Sequence, residues 1–142
     1  MRKAIVILIL ILILLIITIP KFKTKQSFIQ IGDKKILIDI AKSEAERERG
    51  LMFVENLCIN CGMLFIFEEE SNKTFWMKNT LIPLDMVFIN SDLEIVNILH
   101  ATPCKEEHCK LYHSEKPTLY VLEVNPNTFN ETLIGGKIKI NL

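Results

Sequence analysis

The chain has 142 residues, enough for one domain and too few for two. Its formal charge is zero, but the charges are unevenly spread: every acidic residue lies beyond position 32, and five of the basic ones precede Ser27. From Ser27 onward, twelve basic residues face seventeen acidic ones, a net charge of −5 that disfavours a phosphate backbone as partner. No Gly-rich phosphate loop is present.

Taken in chain order, the first feature is apolar. From Ala4 to Ile19 only Thr18 is polar, and at helical rise this run spans roughly 24 Å, a little under a bilayer core of about 30 Å. Arg2 and Lys3 precede it, and Lys21, Lys23 and Lys25 follow. Such side chains snorkel to headgroups and lengthen the effective span. The run ends Thr18-Ile19-Pro20-Lys21, which lacks the small-residue site of a cleaved signal peptide. The reading is therefore an uncleaved single-pass anchor over residues 4–19, with residues 1–26 as anchor and linker and 27–142 as one domain. The basic residues nearly balance across the segment. The short charged tail before it favours an N-terminus held in the cytoplasm and an extracytoplasmic domain.

Beyond the linker, Ser27 to Ile31 and Lys35 to Ile40 read as a hairpin around Gly32-Asp33-Lys34. Ser43 to Arg49 reads as a short helix, with Ser43 and Glu46 forming a capping box and Gly50 ending it. Met63 to Phe67 is an apolar strand, and Glu68 to Asn72 a solvated turn. Thr74 to Met77, Met86 to Ile89, Glu94 to Leu99 and Leu119 to Val124 are further strands. Thr128 to Leu133 can form a helical turn, and Lys137 to Leu142 closes the chain as a strand. Trp76, Phe65, Phe67, Leu122 and Val124 are expected in the core. The fold class is mostly β with short helices (α+β): a compact β-barrel-like domain behind an N-terminal transmembrane helix. No helix is long enough to suggest a doubly wound α/β fold.

Four segments carry a resemblance. They are Gly50-Leu51-Met52-Phe53, Gly62-Met63-Leu64-Phe65-Ile66-Phe67, Phe75-Trp76-Met77-Lys78-Asn79-Thr80 running on to Ile82-Pro83-Leu84-Asp85-Met86, and Tyr120-Val121-Leu122-Glu123-Val124-Asn125. In this order they resemble the uncharacterised family called domain of unknown function 192, from about Ser27 to Leu142. The resemblance implies a compact β-barrel-like domain, often secreted or membrane-anchored, and brings no established activity. The chain departs from the family pattern at Val54-Glu55, Pro126-Asn127 and Lys137.

The candidate ligand-binding residues are Trp76, Lys78, Asn79, Thr80, Asp85 and Glu123. Trp76 would supply an aromatic wall, with polar groups beside it to orient a ligand or, at Asp85, to move a proton. The same residues also suit a structural turn, because Asn and Thr side chains bond nearby backbone. No Gly-x-Ser-x-Gly elbow is present, and no triad can be read from His100, His108 and His113. Met52, Met63, Met77 and Met86 read as core filler rather than copper ligands.

Cys58 and Cys61, and Cys104 and Cys109, form two close pairs. Their spacings suit disulfides in an oxidising compartment or a zinc site; crossed disulfides or a shared metal are slightly preferred over two local bridges. No cofactor is expected, with zinc at the four cysteines as the alternative. Three functions follow. The first is a membrane-anchored binding or accessory module without catalysis. The second is a hydrolase or transferase using Asp85 with Lys78 and Asn79, and Glu123 as a second carboxylate. The third is a metal-handling or redox protein using the cysteine pairs. The expected partners are the membrane, through residues 4–19, and a small molecule or protein, with no nucleic acid.

The anchor reading has a direct check. Edman or mass-spectrometric mapping of the mature protein should find residues 4–19 present and the protein in the membrane fraction. A mature N-terminus beyond Pro20 on a soluble protein would sink it.

Overall fold

The computed structural model describes residues 26–142. The apolar run at 4–19 lies outside the described residues, and no helix among them is long and apolar enough to cross a membrane. Nine strands, one short α-helix and one 3-10 turn make up the described residues. They are β1 (Phe28–Ile31), β2 (Lys34–Ala41), α1 (Glu44–Arg49), β3 (Cys61–Ser71), β4 (Thr74–Trp76), β5 (Leu84–Ile89), β6 (Ile95–Ala101), β7 (Leu111–His113), β8 (Thr118–Val124), the 3-10 turn Glu131–Leu133, and β9 (Ile138–Asn141).

Seven strands form one sheet in the order β6-β5-β8-β3-β2-β1-β9, and β4 pairs with β7 in a second, two-stranded sheet. The large sheet curls. Its outer strands β6 and β9 approach each other where Glu94 bridges Lys137, and the Gly135 and Ile138 amides donate to the Ile95 and Leu93 carbonyls. The mostly β expectation therefore holds as a curled sheet with little helix.

Local sequence accounts for most boundaries. Gly32, at φ +54°, turns the β1–β2 hairpin. Ser43 caps α1 by accepting from the Glu46 amide at 3.3 Å, while Glu46 accepts from the Ser43 amide at 2.8 Å. Gly50, at φ +45°, ends the helix, and a Cβ there would lie 3.1 Å from the Phe65 ring. Arg47 ties α1 to the sheet: its guanidinium donates to the Ile66 carbonyl at 3.1 Å and to the Lys42 carbonyl, and lies 5.2 Å from the centre of the Phe67 ring.

Alternation along the central strands splits the interior in two. Leu64, Val87, Ile89, Leu122 and Val124 point to one side of the sheet, where Ile29, Ile36, Ile38, Ile98, Phe129 and Ile138 complete a core. Phe65, Met86, Phe88 and Val121 point to the other, against Leu51, Met77 and Tyr112. On that second side Phe75 meets Phe65 edge-on at 5.0 Å and Phe88 at 6.0 Å, which fixes the small sheet to the large one.

Two expectations need correction, and two features of the fold have no counterpart in the sequence reading. Trp76 is 44% exposed, because it sits at the outer end of the short strand β4 while Phe75 takes the inward position. Phe65, Leu122 and Val124 are buried as expected, and Phe67 is half-buried. Glu68 to Ser71 continue β3 rather than forming a turn; their side chains are exposed, which is why the acidic run looked like a loop. A parallel pair, β2 with β3, occurs after all, since residues 42–60, with α1 among them, are long enough to cross over. Strand β7 was not anticipated, because Lys110 and Glu115 flank only three residues of weak pattern.

The core assignment predicts that Leu122→Ala lowers stability by about 2–5 kcal/mol, since the side chain is wholly buried. A urea midpoint that barely moves would mean that β8 does not pack this way.

Candidate functional site

The register of β8 places Glu123 beside Met63 of β3 and Met86 of β5, on the side of the sheet that faces α1 and β4. The residue is only 4% exposed. No side-chain hydrogen bond or ion pair engages its carboxyl among the described residues, and burial alone pushes its pKa up to about 8. An acid so placed keeps its proton near neutral pH and presents both a donor and an acceptor.

Glu123 lines a cavity of about 30 Å³. The walls come from Arg47, Arg49, Gly50 and Met52 at the end of α1, from Phe65 of β3, and from Phe75, Trp76, Lys78 and Thr80 along and after β4. A shallower groove of about 330 Å³ adjoins it, bounded by Ala45, Glu48, Arg49 and Met52 on one side and by Trp76, Lys78 and Asn79 on the other. Four separate stretches of chain thus converge on one place.

Backbone conformation holds the two walls together. The Phe53 amide donates to the Asn79 carbonyl at 2.9 Å, and the Asn79 amide side chain lies 3.8 Å from the Met52 sulfur. Both Phe53, at φ +63°, and Asn79, at φ +57°, adopt left-handed backbone. Asparagine takes that conformation readily, whereas a phenylalanine there costs of order 1–3 kcal/mol. Lys78 lies with its ammonium 5.0 Å from the Trp76 ring centre. Thr80 is buried, and its amide donates to the Met77 carbonyl at 3.2 Å.

Asp85 belongs to the other side of the sheet. It pairs with Val124 in register and alternates with Met86, so it points away from Glu123. One of its oxygens accepts from the Thr128 and Phe129 amides at 2.8 and 3.2 Å, and the other lies 2.6 Å from His100 Nδ1. The carboxylate is wholly buried and pins the segment after β8 to the start of β5. Of the sequence-predicted residues, then, Trp76, Lys78, Asn79, Thr80 and Glu123 come together, and Asp85 does not join them. Sequence reasoning missed Arg49, Met52 and His100. Gly50-Leu51-Met52 was one of the four distinctive segments, and its position beside the Trp76 segment was the signal available for Met52.

The zinc alternative is overturned. Cys58 is bridged to Cys61, with Cα atoms 5.2 Å apart, and Cys104 to Cys109, at 5.5 Å. Among the described residues no group of three or more His, Cys, Asp or Glu side chains could hold a metal ion. Crossed pairing is overturned with it. The two loops do lie toward the same end of the sheet, where β3 and β5 begin and β6 and β8 end. Each pair nevertheless closes locally: Cys58 and Cys61 end a turn in which the Cys61 amide donates to the Cys58 carbonyl at 3.1 Å, and Cys104 and Cys109 close a bent loop with a sequence separation of 5. A larger hollow of about 260 Å³ lies at the Cys104–Cys109 loop. Its charged lining, Lys105, Glu106, His108 and Lys110, is exposed, and no buried acid comparable to Glu123 faces it.

A curled sheet with a small cavity lined by a buried acid, beside an open groove, makes a small β-domain with a candidate ligand site; a larger hollow of about 440 Å³ lies between β2, α1 and the chain that follows it, lined by Asp39, Glu46, Leu51 and Leu57. The chain belongs to the family called domain of unknown function 192, described as "Uncharacterized ACR", whose model matches residues 27–140. No curated protein matches it. Two solved structures are similar. A protein from Sinorhizobium meliloti, provisionally named a transcription regulator, is 31% identical with a TM-score of 0.70, over 81% of this chain and 92% of that one. A protein of unknown function from Novosphingobium aromaticivorans is 28% identical with a TM-score of 0.68, over 82% and 84%.

The buried acid makes a prediction about pH. Folded Glu123 holds its proton up to about 8, whereas the unfolded carboxyl loses it near 4.5. The stability contributed by the neutral form is complete below the lower value and is lost as pH rises towards the upper one. The loss can reach about 5 kcal/mol. Glu123→Gln should flatten this decline and be the more stable protein at about pH 8. Urea midpoints at about pH 5 and pH 8 check it; equal declines in both proteins would show that folded Glu123 ionises normally.

Proposed function

We propose that this protein is a membrane-tethered, extracytoplasmic binding module whose ligand site is the groove between α1 and β4, floored by Glu123. One observation carries the reading: four distant segments of the chain converge on a cavity whose buried acid has no partner among the described residues. The Glu123 carboxyl opens onto the cavity and makes no hydrogen bond among the described residues, so an occupant can bond it without displacing an internal partner. Support for the compartment comes from the two disulfides, which persist in oxidising surroundings, and from the apolar run at 4–19 with its basic flanks.

The hydrolase or transferase reading has less behind it. The oxygens of Asp85 are engaged by two backbone amides and His100, on the opposite side of the sheet from Glu123. A role in nucleic-acid binding, which the name of the Sinorhizobium protein raises, has the net −5 charge of the domain against it.

Trp76 is the sole tryptophan, so its fluorescence reports the groove. The full-length protein in detergent, screened against small metabolites, should show a saturable change with at least one of them. Ala45→Tyr, an exposed substitution on the groove wall, should abolish that change and leave the melting temperature intact. Undiminished binding to Ala45→Tyr, or no saturable ligand at all, would count against the groove as the site.

A further inference from the structure

We propose that the Cys58–Cys61 disulfide is redox-active and exchanges with a cysteine-bearing polypeptide, with Cys58 Sγ as the sulfur that the partner's thiolate attacks. The inference does not depend on the groove beside Glu123 being a ligand site.

The two bridges are built differently. Cys104 is half-buried and packs against the core that holds Met77 and Tyr112, so its bridge to Cys109 clamps the excursion between β6 and β7 onto the fold. Cys58 is exposed, Cys61 is half-buried at the start of β3, and Ile59 between them is 88% exposed. The chain around this first bridge is held without it. The Asn125 side-chain amide donates to the Leu57 and Cys58 carbonyls at 3.1 and 3.0 Å. The Cys61 amide donates to the Cys58 carbonyl at 3.1 Å, and the Leu37 amide to the Asn60 carbonyl at 2.8 Å. Asn60 turns the loop at φ +58°, a conformation that asparagine tolerates. A bridge with a sequence separation of 3 closes so short a loop that it withdraws little entropy from the unfolded chain. The covalent bond therefore adds little to the fold, and the hydrogen bonds keep Cys58 beside Cys61 when it is broken. Reversible exchange needs both conditions, an accessible sulfur and a second one that stays within reach.

The exchange balances as a transfer of two electrons. A partner thiolate attacks Cys58 Sγ; the S–S bond breaks, and its electron pair leaves on Cys61 Sγ, which takes a proton. The partner's second thiolate then attacks the partner's own sulfur in the mixed disulfide and releases Cys58 as a thiolate, which takes the second proton. The partner dithiol is oxidised to a disulfide, and Cys58 and Cys61 are reduced to thiols; the same steps in reverse return the electrons. Access makes Cys58 the point of attack, since Cys61 is drawn into the β2–β3 ladder opposite Leu37. Ile59 makes a polypeptide the matching co-reactant: standing in water between the two cysteines, it offers apolar contact to the side chains that flank a partner's cysteine, which a small thiol lacks.

The full-length protein in detergent is titrated with dithiothreitol, free thiols are capped with iodoacetamide, and each cysteine is followed by peptide mass spectrometry. The Cys58–Cys61 bridge should open about tenfold faster than Cys104–Cys109, and the melting temperature should hold while only that bridge is open. Equal rates, or opening only on unfolding, would make the bridge a structural clamp and overturn the proposal. A synthetic peptide with two cysteines flanked by leucines then serves as the polypeptide probe. Offered its oxidised form, Cys61→Ser should accumulate a mixed disulfide at Cys58, and Cys58→Ser about tenfold less at Cys61. Equal trapping at Cys61 would reject Cys58 as the point of attack. Ile59→Ser should slow exchange with the reduced peptide about tenfold and leave exchange with dithiothreitol unchanged. Slowing with both reagents, or with neither, would reject a polypeptide as the co-reactant.

Discussion

The register of β8 between β3 and β5 governs everything else in this fold. Each residue of Val121 to Val124 is opposed on both sides, so its direction is fixed twice over. A slip by one residue would turn Leu122 and Val124 towards α1 and thrust Glu123 into the opposite core. Gly62 enforces the register at its tightest point: a Cβ there would lie 2.5 Å from the Glu123 carbonyl and 2.9 Å from a Val124 methyl. No residue with a side chain fits without backbone movement. The glycine that opens the apolar strand is thus a packing requirement imposed by the neighbouring strand, and that strand in turn aims the acid.

Two acids of similar burial have opposite roles because their surroundings differ. Asp85 faces two backbone amides and a histidine, so its negative charge is answered within the fold. Glu123 faces phenylalanines, methionines and a cavity, so it is cheaper to keep it neutral. One acid holds two parts of the chain together; the other is left with unsatisfied bonding capacity at the floor of a hollow. Their separation by a single step in register, from Val124 to Glu123, is what makes the contrast possible.

Much of the fold was legible in the sequence, and the reasons are local. The capping box at Ser43 and Glu46, the turn at Gly32 and the apolar run before Val124 each carry their own signal. Less legible was whatever depended on distant partners. Trp76 was expected inside because large aromatics usually are, but Phe75 holds the inward position of a three-residue strand. Spacing allowed both zinc and crossed bridges for the four cysteines, and only coordinates distinguish these from two local disulfides. The candidate site was half legible: the Trp76 segment and Glu123 were singled out, but Asp85 was grouped with them because adjacency in sequence does not reveal which side of a sheet a residue faces.

The meeting of β6 and β9 at Glu94 and Lys137 bears on how copies of this protein behave toward one another. A sheet of seven strands ordinarily ends in two rows of unpaired amides and carbonyls, each a template on which another chain can add a strand. Here the curl brings the two ends together, where the Lys137 ammonium also lies 3.5 Å from the Glu94 carboxylate. At that point the Ile95, Gly135 and Ile138 amides find carbonyl partners across the gap. The closure covers only the point where Glu94 meets Lys137, and Lys137 and Lys139 add charge along β9, so strand exchange and fibril growth are discouraged by curl and charge together.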